Sequence, residues 1–134
     1  NKEYGNRFKD LLQQYGKENF PKEEAPLLRI GRHFRISKTA KIIISRDEAE
    51  YHLLQPFISG RYLFELENII GAIGIGVGKF SKEDMLLASR LLGRYSKAGK
   101  DETIRINVRY QDKIYDISTS PLAANDPLID SLRI

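Results

Sequence analysis

The sequence predicts an α+β domain built on a mainly antiparallel sheet of hairpin-paired strands, with one long helix, one short helix and an N-terminal helix. Helical signals mark three segments, and six shorter extended segments are predicted as strands. The predicted order is helix, two strands, helix, two strands, helix, two strands and a tail. Because strands come in consecutive pairs with no helix inside a pair, the pairs are expected to be antiparallel hairpins.

Length and composition narrow the class of protein. The chain has 134 residues, of which 41% are hydrophobic and 30% charged, as expected for one soluble globular domain with its own core. The longest apolar run, residues 69–77, is rich in glycine and too short to span a bilayer, so no membrane partner is predicted. No signal peptide is visible, and because the chain begins at Asn1 rather than at a methionine, it is predicted to be an excised or processed fragment.

The absence of cysteine excludes disulfides, thiolate metal sites and a cysteine nucleophile, and it fits a cytoplasmic protein. The net charge of +4 and the pI near 9.3 are compatible with a nucleic-acid partner.

The N-terminal part, residues 1–27, is predicted to be a helix and a linker. Tyr4, Phe8, Leu11 and Tyr15 form a helical stripe over residues 2–15. The following residues, 17–26, are charged and contain two prolines, which indicates a linker.

Residues 28–120 are predicted to form the folded domain. Residues 28–36 alternate, with Phe34 on the apolar face and His33 and Arg35 on the opposite face, which predicts a half-buried strand. Residues 41–45 are its expected partner, and three consecutive isoleucines there indicate burial on both faces. Asp47 is placed to cap a short helix over residues 48–55.

The second half holds the remaining elements. Residues 62–66 and 72–77 are predicted as the third and fourth strands, and Ser81 as the cap of a long helix that ends near Gly99. Residues 103–110 and 113–118 are predicted as the last hairpin. The tail, residues 121–134, is expected to be either an irregular strap or a partly mobile end.

A glycine-rich run over residues 71–78, followed by Lys79, invites comparison with phosphate-binding loops. A Walker loop ending at this lysine would need glycine where Ile73 stands and serine or threonine where Phe80 stands. A dinucleotide fingerprint starting at Gly74 would need glycine in place of Lys79. The run is therefore predicted to be a strand whose glycines leave room for a neighbouring element, with nucleotide binding kept as a rival hypothesis.

Catalytic and metal sites are not expected in this chain. His33 and His52 lack metal-ligand spacing, and no serine has an evident base partner. The fragment is predicted to be non-catalytic and to need no cofactor.

Positive charge is arranged in rows. Arg90, Arg94 and Lys97 follow one another at steps of four and three, so they form one ridge of the long helix. On the next strand, Arg105 and Arg109 share the face opposite the apolar residues. Such rows are typical of surfaces that bind polyanions.

Residues 37–54 and 61–108 resemble NFACT-R, an RNA-binding domain found in ribosome quality-control proteins. The most specific part of this resemblance is the Tyr-Ser-Lys-Ala step at the end of the long helix. The matching residues are Phe64, Gly71, Ala88, Leu92, Tyr95, Ser96, Lys97, Ala98 and Val108. Leu63 and Glu65 replace the family's usual aromatic and histidine, and Ile70 replaces the proline before Gly71.

Residues 6–12 and 28–36 resemble the region between domains in bacterial PP-loop ATPases similar to tRNA thiouridine synthases. In those proteins a catalytic domain precedes an NFACT-R-like domain. The resemblance implies that this chain is the RNA-binding tail of such an enzyme, with its own upstream catalytic domain as a partner.

The predicted function is binding of tRNA or another structured RNA through phosphate contacts. Tyr95 is expected to anchor the helix end in the core, and Ser96 to bond a phosphate or a 2′-hydroxyl. The candidate contacts are Arg32, His33, Arg35, Arg94, Tyr95, Ser96, Lys97, Arg105 and Arg109. The alternative is a protein–protein docking or dimerisation module without direct RNA contact.

Overall fold

A computed structural model of the protein describes all residues from Asn1 to Ile134 and contains one six-stranded antiparallel sheet. The strands are β1 (Arg32–Arg35), β2 (Ala40–Ile44), β3 (Tyr62–Leu66), β4 (Gly74–Gly78), β5 (Ile104–Tyr110) and β6 (Lys113–Thr119). Their order across the sheet is β1-β2-β4-β3-β5-β6. The predicted α+β class and all three hairpin pairings are confirmed.

Four α-helices and two short 3₁₀ helices accompany the sheet. The α-helices are α1 (Lys2–Tyr15), α2 (Glu48–Leu54), α3 (Lys82–Arg94) and α4 (Pro127–Leu132), and the 3₁₀ helices are Lys22–Arg29 and Gln55–Phe57. The predicted caps are confirmed, since Asp47 accepts from the Glu50 N–H and Ser81 from the Asp84 N–H. No helix is both long enough and apolar enough to cross a membrane.

Strand β2 lies between two hydrophobic cores. Ile42 and Ile44 belong to the larger core, with Leu91 and Leu92 of α3 among its members. Ile43 points the other way, into a smaller core that includes Leu54 of α2. All three isoleucines are fully buried, so the prediction of burial on both faces is confirmed.

The glycines of β4 make room for bulky side chains of neighbouring elements. A Cβ atom on Gly76 would lie 2.8 Å from both the Phe80 ring and the Tyr62 Cβ. A Cβ atom on Gly74 would lie 2.8 Å from the Ile42 Cδ1. The predicted role of these alternate glycines, which is to admit a neighbouring element, is confirmed.

The segment before β1 differs from its prediction. Residues 22–29 form a 3₁₀ helix that contains Pro26, where a linker running into a strand was expected. The reason is a long-range contact: buried Arg7 on α1 donates hydrogen bonds to the carbonyl oxygens of Leu28 (2.8 Å) and Gly31 (2.9 Å). Gly31, with φ of +76°, then turns the chain into β1.

The C-terminal tail is ordered and covers the edge of β1. Leu122 and Ile129 are buried in the larger core, so the tail is a strap that includes the short helix α4. Arg133 forms an antiparallel bridge with Phe34, and the Ile134 N–H donates to the His33 carbonyl at 3.0 Å.

We expect Arg7→Ala to destabilise the domain by about 3 kcal/mol, because two buried carbonyl oxygens would lose a charged donor. Urea unfolding measures the change. Lys9→Ala, on the same helix but exposed, is the matched control and should change the free energy of unfolding by less than about 0.5 kcal/mol. Equal stability of the two variants would contradict the role assigned to Arg7.

Candidate nucleic-acid interface

A cleft of about 590 Å³ opens at one end of the sheet, where four segments of the chain meet. The segments are the start of β1, the connection from β2 into α2, the loop between β3 and β4, and the end of α3. Their lining residues include Arg32, Arg46, His52, Gly71 and Lys97.

The loop between β3 and β4 reaches the end of α3 through one backbone bridge. Gly71 pairs with Ser96 in an antiparallel bridge. A Cβ atom on Gly71 would come within 3.0 Å of the Ser96 Cβ, so this close approach favours glycine. The two sides of the cleft are thereby joined at their base.

Tyr95 closes the helix and orients two arginines. Its ring packs 6.1 Å from the Phe34 ring at the larger core, which agrees with its predicted anchoring position. The guanidinium carbons of Arg32 and Arg94 lie 4.3 Å and 5.0 Å from the Tyr95 ring centroid. Cation–π contacts of this kind hold the charged groups without neutralising them.

Arg32 carries positive charge that no carboxylate neutralises. Its Nη1 donates to the Ser45 carbonyl at 3.2 Å, and it makes no salt bridge. Burial lowers the pKa of Arg32, and the positive charges of Arg133 and Arg46 lower it further. The group remains a cation at neutral pH, because a guanidinium is not deprotonated in proteins.

Arg46 is fixed by a bidentate ion pair with Glu50. The Arg46 Nε and Nη2 donate to the two Glu50 carboxylate oxygens at 2.9 Å and 2.7 Å. The same carboxylate accepts from the Gly31 N–H at 2.8 Å. Hydrogen bonding by Arg46 lowers the pKa of Glu50 to about 2. The Arg46 side chain is 44% exposed, and its Nη1 makes no hydrogen bond within the protein.

Lys97 is exposed and has no carboxylate within 4.0 Å. The neighbouring Ser96 hydroxyl donates to the Gly93 carbonyl at 2.6 Å and accepts from the Ala98 N–H at 3.1 Å. Ser96 therefore shapes the turn that presents Lys97, and its hydroxyl is already used within the protein.

The family of the chain is decided by a sequence match. The protein-family model described as the NFACT protein RNA binding domain matches residues 31–128, which is more than half of the chain. This chain belongs to the NFACT RNA-binding domain family. All four segments that line the cleft lie within the match.

A solved structure shares the fold of this NFACT RNA-binding domain. The C-terminal part of the fibronectin/fibrinogen-binding protein from Streptococcus suis aligns with a TM-score of 0.62 and 15% sequence identity. The alignment covers 95% of this chain and 58% of that chain, so this domain spans little more than half of the aligned protein. No curated protein matches the sequence.

Within this NFACT domain, His33 is buried and cannot touch RNA directly. Its Nε2 lies 3.0 Å from the Leu27 carbonyl oxygen and 2.9 Å from that of Ile30. The predicted alternation of β1 is right, because Phe34 enters the larger core. The prediction of an exposed opposite face is wrong, because the N-terminal segment covers it.

Arg35 lies under α1 and away from the cleft. It forms a bidentate pair with Asp10, with Nε–Oδ1 and Nη2–Oδ2 distances of 3.0 Å and 2.5 Å. The pair ties α1 to the sheet, so Arg35 has a structural partner in place of the predicted phosphate.

The basic residues of β5 form a separate surface. Arg105 and Arg109 lie on the uncovered face of the sheet and do not line the cleft. Arg109 pairs with Glu65 at 2.8 Å, whereas Arg105 has no salt bridge. The structure thus brings together Arg32, Tyr95, Ser96 and Lys97, with Arg94 beside them.

Sequence reasoning missed Arg46, Tyr51 and His52, which also line the cleft. The available signal was position: Arg46 follows a strand buried on both faces and precedes a helix cap. Charged residues at such strand ends emerge at the rim of the sheet. No cluster of three or more His, Asp or Glu side chains is placed to hold a metal ion.

We expect acid to destabilise this domain below pH of about 6.5 through His33. Burial, together with Lys41 and Arg7, lowers the pKa of His33 well below its ordinary 6.5. Below this pH the unfolded chain therefore binds a proton at His33 that the folded chain does not bind. The free energy of unfolding then falls by at most about 1.4 kcal/mol for each pH unit of acidification.

Urea unfolding between pH 7.5 and 5 measures this slope. The window lies above the range in which Glu50 loses its contribution, from about 4.5 down to about 2. His33→Gln should flatten the slope, because it removes the group that takes up the proton on unfolding. An unchanged slope in His33→Gln would assign the proton uptake to another group.

Proposed function

We propose that this domain binds tRNA by its phosphate backbone, in the cleft between α2 and the end of α3. The observation that carries the proposal is the convergence of Arg32, Arg46 and Lys97 on one cleft, whose lining also includes the carboxylates of Asp47 and Glu48 at the start of α2. Membership of an RNA-binding family supplies the ligand class. Cations spaced along a cleft suit the regular charges of a polyribonucleotide backbone.

The three cations would contribute differently. Lys97 is a mobile point charge on an exposed turn. Arg32 and Arg46 are held in place by the Tyr95 ring and the Glu50 carboxylate, so binding would cost them little side-chain entropy. A site with two fixed guanidinium groups and one mobile lysine is suited to an RNA phosphate backbone of defined shape.

The position of Arg32 over the Tyr95 ring favours structured RNA as the ligand over a single strand that is read by sequence. Tyr95 has Arg32 over its ring, so it is not an open platform for a base. Recognition of single strands usually depends on such stacking, whereas folded RNA is recognised by shape and by phosphate and 2′-hydroxyl contacts.

A docking or dimerisation module remains the second candidate function. The observation that favours it is Ile70, which lies at the rim of the cleft and is 78% exposed. An apolar residue at that position fits a protein partner as well as RNA. Ile70→Ser should weaken a protein contact but leave the salt dependence of RNA binding unchanged.

We expect Lys97→Ala to lower the salt slope of RNA binding by about 0.7 to 0.9 and the affinity at 0.1 M salt by roughly five- to eightfold. Titration of a labelled tRNA at several salt concentrations measures both. Lys113→Ala is the matched control, because Lys113 is exposed and lies at the turn of the β5–β6 hairpin outside the cleft. Failure of the unmodified domain to bind RNA at low salt would refute the proposal.

We expect folded tRNA to compete better than an unstructured RNA of equal length. The reason is that the fixed arginines match one backbone geometry, and an unfolded strand must be ordered on binding. Competition against the labelled tRNA measures the ratio. Equal competition would leave RNA binding in place but contradict the assignment to tRNA.

We further propose that the domain is itself non-catalytic and follows a PP-loop ATPase domain in a longer cytoplasmic protein that thiolates tRNA. The support is the resemblance of residues 6–12 and 28–36 to the corresponding region of those enzymes. Sequencing the gene upstream of the Asn1 codon tests this proposal. An upstream reading frame without a phosphate loop would refute it without touching RNA binding.

A further inference from the structure

A second, smaller cleft of about 300 Å³ lies beside the first and is built largely by the N-terminal segment. Tyr4 and Arg7 of α1 and Arg29 at the end of the first 3₁₀ helix line it, together with Arg46. The first three precede residue 31, where the match to the RNA-binding family begins. Apart from Arg46, this cleft is therefore built outside the residues that match the family.

The second cleft repeats the arrangement of arginine over tyrosine found in the first. The Arg29 guanidinium carbon lies 4.9 Å from the Tyr4 ring centroid, compared with 4.3 Å for Arg32 and Tyr95. Arg29 is exposed and has no carboxylate within 4.0 Å. It is therefore held in place by an aromatic ring and retains its charge for a ligand.

The one carboxylate that lines the second cleft is already paired. Glu3 accepts from the Arg7 Nη2 at 3.1 Å, so its charge is offset within α1. The position of α1 is fixed by the other Arg7 hydrogen bonds, which reach the Leu28 and Gly31 carbonyl oxygens. The positive charge that no carboxylate offsets in this cleft belongs to Arg29, whereas Arg46 is paired with Glu50 and offers only its free Nη1 as a donor.

Arg46 joins the two clefts, because it lines both. Its guanidinium is set by Glu50, and the same carboxylate bonds the Gly31 N–H. The Gly31 carbonyl in turn accepts from Arg7. One chain of hydrogen bonds therefore holds the shared arginine and the N-terminal helix in a fixed relation.

We propose that the RNA strand leaving the first cleft passes Arg46 and continues into the second, where Arg29 binds a phosphodiester oxygen. This inference rests on the proposed function of the first cleft. RNA is the favoured occupant because the second cleft adjoins the first through a shared arginine and offers an unneutralised cation. The 3₁₀ helix that ends at Arg29, supported by Tyr4 of α1, is then an RNA-binding element outside the family domain.

The test is Arg29→Ala, measured against a labelled tRNA at several salt concentrations. We expect the salt slope to fall by about 0.7 to 0.9, with a roughly five- to eightfold loss of affinity at 0.1 M salt. Arg29→Lys should restore most of the slope, since charge rather than packing sets it. Lys9→Ala, an exposed change on α1 that does not line the cleft, should behave like the unmodified domain.

The double variant Arg29→Ala, Lys97→Ala separates this inference from the proposed function. Two independent phosphate contacts should lower the slope by the sum of the single changes. If Lys97→Ala weakens binding and Arg29→Ala matches Lys9→Ala, the second cleft is excluded and the first stands. If the unmodified domain does not bind RNA, both fail.

Because the sequence contains no cysteine, a single introduced cysteine allows an independent measurement. A single cysteine placed by Lys2→Cys, beside two residues that line the second cleft, is a unique attachment point for a tethered iron–EDTA probe. We expect this probe to cleave bound tRNA, and a probe on Lys9→Cys to cleave it much less. Equal cleavage from both positions would overturn the proposed path.

Discussion

The burial of β2 on both faces is the constraint on which the rest of the molecule depends. Three consecutive isoleucines with no exposed surface, each worth about 1.5–3 kcal/mol of burial, require a cover on each side of the sheet. Helix α3 provides one cover, and α2 with the N-terminal segment provides the other. The cleft forms where the two covers meet, at the end of β2.

A chain of charged hydrogen bonds turns that packing into a rigid site. Arg7 donates to the Gly31 carbonyl, the Gly31 N–H donates to the Glu50 carboxylate, and Arg46 donates to the same carboxylate. Buried or half-buried charges are costly unless each is paired, and here each has a partner. The result is a fixed cation at the rim of the cleft, placed by residues from three different elements.

Local signals predicted most of the fold. The caps at Asp47 and Ser81, the alternation of β5 and the three isoleucines of β2 all depend on neighbours within a few residues, and each was confirmed. The prediction for the segment before β1 was wrong because the conformation of that segment depends on Arg7, more than twenty residues away. Of the candidate site, the Tyr95–Lys97 step was found from sequence, whereas Arg46 was not.

The sequence by itself determined the family, the sheet of hairpins and the presence of basic rows on two elements. Only the tertiary structure decided which basic residues face solvent together. Periodicity assigns a side chain to a face, but it does not say what covers that face. His33 and Arg35 lie on the face that the pattern assigned, and α1 with its 3₁₀ helix covers them. Arg32 shares the opposite face with the buried Phe34, but it lies at the start of β1, where the strand meets the open cleft.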